Sequence, residues 1–163
     1  MSEHNIEARK AVVAELSDKV KNASSVVIVD YRGINVEQDT AMRKALREAG
    51  VEYRVIKNSA LSRAFAATGN DGFDDSFVGP TAAAFGSEDP IAPCRILSEY
   101  EAKTPLTIKS GLVEGKKFDA NGIKSLSNIP EKPVLLAQVL GLLTSPMRSL
   151  AIAISEVAKK KSA

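Results

Sequence analysis

The spacing of hydrophobic residues changes several times along the first third of the chain. Apolar residues at helical spacing from Ile6 to Lys21 predict an amphipathic helix. The continuous run ASSVVIVDY, residues 23–31, predicts a strand that is covered on both faces. A second helix is expected after the N-cap residue Asn35, and a second strand at Val51–Ile56. The order strand, helix, strand over residues 25–56 predicts a βαβ unit with parallel strands.

The pattern as far as residue 130 is that of one ordinary domain. A third helix is expected directly after Lys57. Four further elements, a short strand, a helix, a strand pair and a last helix, are expected at residues 81–86, 88–102, 106–118 and 119–129. We therefore expect residues 1–130 to form an α+β domain with a mixed β-sheet and helices packed on it.

The tail, residues 131–163, differs in kind because it contains no aromatic residue and no strand pattern. Ser145 and Pro146 occupy the positions of an N-cap and a first helical residue, so two helices or one kinked helix are expected. Each half carries an apolar stripe at helical spacing. The stripes comprise Leu135, Leu136, Val139, Leu140 and Leu143, then Met147, Leu150, Ala151, Ile154, Val157 and Ala158.

Isolated helices of about 12 residues are marginal in water, so we expect another surface to cover these stripes. The pattern alone leaves three coverings open: the chain's own domain, a membrane surface helped by Lys159–Lys161, and another protein. A membrane span from Leu135 to Ser155 would place Arg148 near the bilayer centre, at a cost of roughly 2.5–3.5 kcal/mol. No membrane span is therefore expected.

Composition restricts the functional class. The 163 residues are 44% hydrophobic and 26% charged, which is typical of a soluble globular protein. The single cysteine, Cys94, cannot form an internal disulfide, and no secretory signal is visible, so a cytoplasmic location is expected. His4 is the only histidine, so no Ser–His–Asp or Cys–His pair can form. We expect no enzymatic activity, cofactor, metal or small-molecule substrate.

The most distinctive charge pattern lies where the second strand meets the third helix. Within residues 53–70 the only charged residues are three cations, Arg54, Lys57 and Arg63. Asn58 or Ser59 is expected to cap the helix, whose free backbone N–H groups attract anions such as phosphate. The pattern is therefore compatible with a contact to a phosphate backbone, or with an ordinary solvated helix start. Three further cations would extend the patch if their elements pack nearby: Arg9, Lys10 and Arg32.

Three linked segments resemble signatures of one protein family. They are VVIVDYRGINV, LREAGVEYRVIKNSALSRAF and FVGPTAAAF, at residues 26–36, 46–65 and 77–85. In order and spacing they resemble bacterial large-subunit ribosomal protein ten, the stalk-base protein. The resemblance covers essentially the whole chain and is strongest over residues 25–86. Ser59 stands where the family usually has threonine, which keeps a hydroxyl group.

The resemblance implies a ribosome-bound domain that contacts large-subunit rRNA beside ribosomal protein eleven. Some members of the family also repress their own mRNA. By position on the matching segments, RNA contact is expected for Arg32, Arg54, Lys57, Asn58, Ser59 and Arg63, with Arg9 and Lys10 as extensions of the patch. The loop Gly79–Thr81 is expected to shape this neighbourhood.

For the tail, the resemblance implies a C-terminal helix that holds dimers of the acidic stalk protein, which recruit the translational GTPases. The length of the tail suggests two dimers. The expected anchors are Leu135, Val139, Leu143, Met147, Leu150, Ile154 and Val157. A different class of protein remains as an alternative, a free regulatory RNA-binding protein with a self-packed helical tail.

Overall fold

The computed structural model describes residues 3–70, 72–87 and 89–162. Within these ranges the side chains of residues 3–6, 8, 74, 75, 161 and 162 are not described, so the expectations on His4 and Lys161 lie outside the described side chains. The chain divides into two units, with the boundary between Ile129 and Pro130.

The described part of the first unit contains five helices and five strands. The helices are α1 Glu3–Asn22, α2 Val36–Glu48, α3 Asn58–Ala67, α4 Ala92–Lys103 and α5 Ala120–Ser127. The strands are β1 Ser25–Asp30, β2 Val51–Val55, β3 Ala82–Gly86, β4 Thr107–Val113 and β5 Lys116–Asp119. A short 3₁₀ turn spans Asp74–Phe77. The predicted α+β class is confirmed.

The sheet has the strand order β2-β3-β1-β4-β5, and each neighbouring pair is antiparallel. The prediction of a mixed sheet is therefore wrong, whereas the parallel direction predicted for the two strands of the βαβ unit holds. β1 and β2 run in the same direction, as a helical crossover requires, but β3 is inserted between them and pairs antiparallel with both. This insertion places a strand from a later part of the chain beside the central strand β1.

Helices cover the sheet on both faces, which explains the continuous apolar run of β1. Leu16 of α1 and Phe65 of α3 pack with Val26 and Ile28 on one face. Val27 and Val29 point to the other face, where α2, α4 and α5 supply residues such as Leu46. All six residues of β1 are buried, so the prediction of a strand covered on both faces is confirmed. Burying each large aliphatic side chain contributes on the order of 1.5–3 kcal/mol before entropy losses.

The helix starts show which local predictions hold. Asn35 is the N-cap of α2, as predicted, and its backbone N–H donates to Gln38 Oε1 at 3.2 Å. The N-cap of α3, however, is Lys57, whose side chain forms no cap bond, so the predicted caps Asn58 and Ser59 are wrong. Both residues lie inside the first turn, and the Asn58 amide bonds a distant loop instead. In α4 the proline of the first turn is Pro93.

The second unit is the helix α6, Lys132–Ser162. Pro146 lies inside this helix, so Ser145 does not act as the predicted N-cap of a separate helix. Proline removes one backbone hydrogen bond, but the strong helix formers on both sides keep the chain helical. Every described side chain from residue 131 to residue 160 is exposed. By length and composition alone, Lys132–Lys160 could cross a membrane.

Candidate functional site

Three segments that are far apart in the sequence meet at one end of the sheet. The segment after β1 carries Arg32, the start of α3 carries Asn58, and the loop before β3 carries Gly79 and Thr81. Asn58 Nδ2 donates to the Gly79 carbonyl at 2.7 Å, and Thr81 Oγ1 donates to the same carbonyl at 3.1 Å. We call this cluster, together with Asp30 and Lys109, the signature corner. It contains residues from each of the three quoted segments.

A buried carboxylate lies at the centre of the signature corner. Asp30 accepts the backbone N–H of Arg32 at 3.1 Å, and its two oxygens accept Nε and Nη2 of the same arginine at 3.1–3.3 Å. Lys109 Nζ lies 3.8 Å from Asp30 Oδ2. Burial raises the pKa of Asp30, but the hydrogen bonds from Arg32 and the charge of Lys109 outweigh it and hold the pKa below its ordinary value. Asp30 is therefore a charged anchor for two cations.

The local sequence pattern did not identify Lys109, a residue of β4, as a candidate functional residue. Its ammonium donates to the carbonyl oxygens of Val78 at 2.9 Å and Pro80 at 2.8 Å. β4 pairs directly with β1, which brings Lys109 beside the end of that strand. The signal in the sequence is weak. It consists of Asp30 ending an apolar strand and of one lysine in an otherwise apolar and small-residue strand.

A second group of cations lines a groove between α1 and α3. Arg9 from α1 and Lys57, Ser59 and Arg63 from the α3 side surround a depression of about 450 Å³. An adjoining depression of about 430 Å³ adds Lys10. The structure thus brings together five of the predicted residues, which we call the basic groove: Arg9, Lys10, Lys57, Ser59 and Arg63. Within the described part of the chain, its four cations form no ion pair.

Arg54 is in a different environment. Its Nη1 donates to Glu15 Oε1 at 3.0 Å, and its Nε lies 3.9 Å from Glu52 Oε1. Lys19 joins the same network through Glu52 at 2.5 Å and Glu15 at 3.5 Å. The hydrogen bond and charge of Arg54, with those of Lys19, hold the pKa of Glu15 below its ordinary value. The stretch that lacks acidic residues in the sequence is therefore not free of carboxylates in space.

The predicted anchors of the tail are all exposed on α6. They are Leu135, Val139, Leu143, Met147, Leu150, Ile154 and Val157. Leu136 and Leu140 of the first predicted stripe are exposed as well, and so are three large apolar side chains outside both predicted stripes, namely Val134, Leu142 and Ile152. The apolar surface of α6 is consequently broader than the predicted stripes.

The described residues contain no cluster of three or more His, Cys, Asp or Glu side chains that could hold a metal ion. Cys94 is buried, and its burial raises the pKa of the thiol to about 11. A thiol with so high a pKa is protonated at neutral pH and is a poor nucleophile.

The family model and the relatives that match this chain all indicate the same class of protein. The family model described as Ribosomal protein L10 matches residues 4–102, which include the three quoted segments. The protein from Shouchella clausii named large ribosomal subunit protein uL10 is 46% identical over 157 residues, covering 96% of this chain and 95% of that protein. The proteins of the same name from Lacticaseibacillus casei and Bacillus licheniformis are each 43% identical, covering 99% and 96% of this chain and 96% and 95% of their own.

These matches define the class as a structural protein of the large ribosomal subunit, which is not an enzyme. The chain belongs to the ribosomal protein L10 family. The resemblance to large-subunit ribosomal protein ten and the expected cytoplasmic, ribosome-bound location are therefore confirmed.

Proposed function

We propose that this protein forms the base of the large-subunit stalk, with the domain of residues 1–130 binding large-subunit rRNA and the extension of residues 131–163 holding dimers of the acidic stalk protein. The main observation that supports binding of this domain to rRNA is the basic groove. Four cations without carboxylate partners in the described chain line the groove between α1 and α3, and one of them, Lys57, lies at the N-terminus of α3. Helix N-termini attract phosphates, and unpaired Lys and Arg side chains add charge-assisted donors there.

The shape of the groove favours an RNA backbone over a small anion. The two depressions adjoin each other along α1 and α3, and both include Arg9 and Arg63. An elongated row of cations matches successive phosphates, whereas a single phosphate would be bound by one compact cluster. Asn58 follows Lys57 directly in the chain, and Arg32 lies with Asn58 around Gly79 in the signature corner, so both extend the proposed contact. Contacts of this kind position a protein on RNA without reading the bases.

The extension supports the second part of the proposal. Its exposed Leu, Ile, Val and Met side chains repeat at helical spacing over the whole of α6, as in helices that fill a groove of a partner. Residues 131–163 carry five basic and two acidic groups, which suits an acidic partner. We further propose ribosomal protein eleven as a neighbour, and two stalk dimers as the cargo.

Binding of the full chain to the stalk-base fragment of large-subunit rRNA tests the RNA-binding part. Lys57→Ala should weaken binding and reduce the slope of log K against log salt by about one unit, because one phosphate contact is lost. Lys103→Ala is the matched control. It removes one lysine charge from α4, which covers the other face of the sheet from α1 and α3. Equal affinity and slope for Lys57→Ala and the unaltered protein would remove Lys57 from the site.

A further inference from the structure

The ammonium group of Lys109 is surrounded by oxygen atoms of the protein. It donates to the carbonyls of Val78 and Pro80, lies 3.4 Å from Thr81 Oγ1, and faces Asp30 Oδ2 at 3.8 Å. Only 16% of the side chain is exposed. An ammonium has three N–H donors, so these partners leave none for an external anion. Lys109 is therefore poorly placed to contact RNA itself.

The loop that Lys109 holds is fixed mainly by side-chain hydrogen bonds. Residues 78–81 lie outside the helices and strands, and Gly79 has a φ of +85°, a conformation that favours glycine. A Cβ atom at Gly79 would lie 3.9–4.0 Å from the charged ends of Asp30, Arg32 and Lys109. The loop thus rests directly on these three charges. The side-chain bonds of Lys109, Asn58 and Thr81 fix its conformation.

Asp30 holds the cation that points outward. Its carboxylate binds the Nε and Nη2 edge of Arg32, while 72% of the Arg32 side chain stays exposed. Within the described part of the chain, Nη1 of Arg32 has no partner. A guanidinium fixed along one edge presents its free edge in a set direction, so less side-chain entropy is lost when it binds a phosphate. The charges of Asp30, Arg32 and Lys109 sum to +1, so the buried carboxylate does not cancel the positive field.

We propose that Asp30 and Lys109 are positioning residues of the RNA-binding surface: Asp30 orients Arg32, and Lys109 fixes the loop of residues 78–81 beside it. Neither residue contacts RNA. The inference rests on the proposed function and goes beyond it, because it assigns a role to two buried charges that no phosphate touches. Lys109 also lies beyond residues 4–102, which the family model matches.

The test measures the affinity of the full chain for the stalk-base fragment of large-subunit rRNA over a series of salt concentrations. Lys109→Met should lower the affinity on the order of 10-fold, because the loop loses its charged anchor. The slope of log K against log salt should stay unchanged, because no phosphate contact is lost. Lys103→Met is the matched control and should change neither quantity. Thr81→Val removes a loop hydrogen bond at a buried position without removing a charge. It should lower the affinity less than Lys109→Met does and leave the slope unchanged.

A double-mutant cycle tests the action of Asp30 through Arg32. Asp30→Asn should weaken RNA binding in the unaltered background and have little further effect in an Arg32→Ala background. An Asp30→Asn effect of equal size in both backgrounds would overturn this role.

Three outcomes separate the inference from the proposed function. If the unaltered chain does not bind the fragment, the proposed function fails first. If it binds and Lys109→Met flattens the slope by about one unit, Lys109 contacts a phosphate and the inference is wrong. If it binds and both Lys109→Met and Thr81→Val leave the affinity unchanged, the loop does not matter for binding and the inference is also wrong. Thr81→Val keeps this decision possible if Lys109→Met does not fold.

Discussion

At the scale of single residues, Arg54 shows how neighbouring carboxylates can pair with a side chain that the sequence predicts to contact RNA. Glu15 and Glu52 bind the guanidinium from two directions, and half of its side chain remains exposed. Exposed ion pairs of this kind contribute about 0–1 kcal/mol, so a phosphate can compete for the arginine. The RNA contact predicted for Arg54 therefore requires an exchange of partners, unlike the contacts predicted for the basic groove.

Replacement of the competing carboxylate tests whether this exchange occurs. Glu15→Gln should raise the affinity for the stalk-base rRNA fragment by up to about 5-fold, because Arg54 becomes free to bind a phosphate. The gain should disappear in an Arg54→Ala background. Glu99→Gln provides the control, since Glu99 forms a similar exposed ion pair with Lys103 on the opposite face of the sheet. A gain that persists without Arg54 would show that only the net charge matters.

Residue roles were the least predictable part of the candidate site. Lys57 and Arg63 of the basic groove could be selected from the sequence because an acid-free stretch at a helix start is a local pattern, whereas Arg9 and Lys10 depended on where the first helix packs. The roles of Asn58 and Lys109 could not, because their partners lie on a loop about 20–30 residues away in the chain. Glu15 was missed for the same reason, since it reaches Arg54 from another helix. Side-chain partners depend on tertiary contacts, which the local pattern does not encode.

At the scale of elements, hydrophobic spacing predicted the helices and strands better than their pairing. The positions of β1, α2, β2 and β3 match the predicted segments closely, since burial imposes a period on each of them. Strand order was not predictable from the same signal, because β3 enters between β1 and β2 from a later part of the chain. In α6 the apolar period predicted the helix, while Ser145 and Pro146 left open either two helices or one kinked helix, and the structure has a single helix with Pro146 inside it.

The broad apolar surface of α6 leads to a prediction about stalk dimers. Native mass spectrometry of the chain co-expressed with its acidic partner should show two dimers per chain. Leu150→Asp should leave one, because it introduces an unpaired charge into an apolar contact. Ser149→Asp is the matched control on the neighbouring position, outside the predicted stripe, and should keep both dimers. Two retained dimers in Leu150→Asp would exclude Leu150 as an anchor.

At the scale of the whole molecule, the two candidate surfaces lie in separate units of the chain. The basic groove and the signature corner belong to the first unit, whose core is formed by the sheet and five helices. The exposed apolar side chains of α6 belong to the second. Since neither candidate surface takes a residue from the other unit, we expect ribosome attachment and stalk binding to be separable by mutation.

Deletion of residues 145–163 should therefore leave co-sedimentation with the large subunit intact at one copy per particle, while at least one stalk dimer is lost. The converse variant, Lys57→Ala combined with Arg63→Ala, should dissociate from the particle at lower salt than the unaltered chain, because two phosphate contacts are lost. It should still co-purify with the stalk protein, because α6 is unchanged. A free regulatory RNA-binding protein would not follow the particle stoichiometrically in any of these variants. Loss of both ribosome attachment and stalk-protein binding in either variant would show instead that the two surfaces depend on each other.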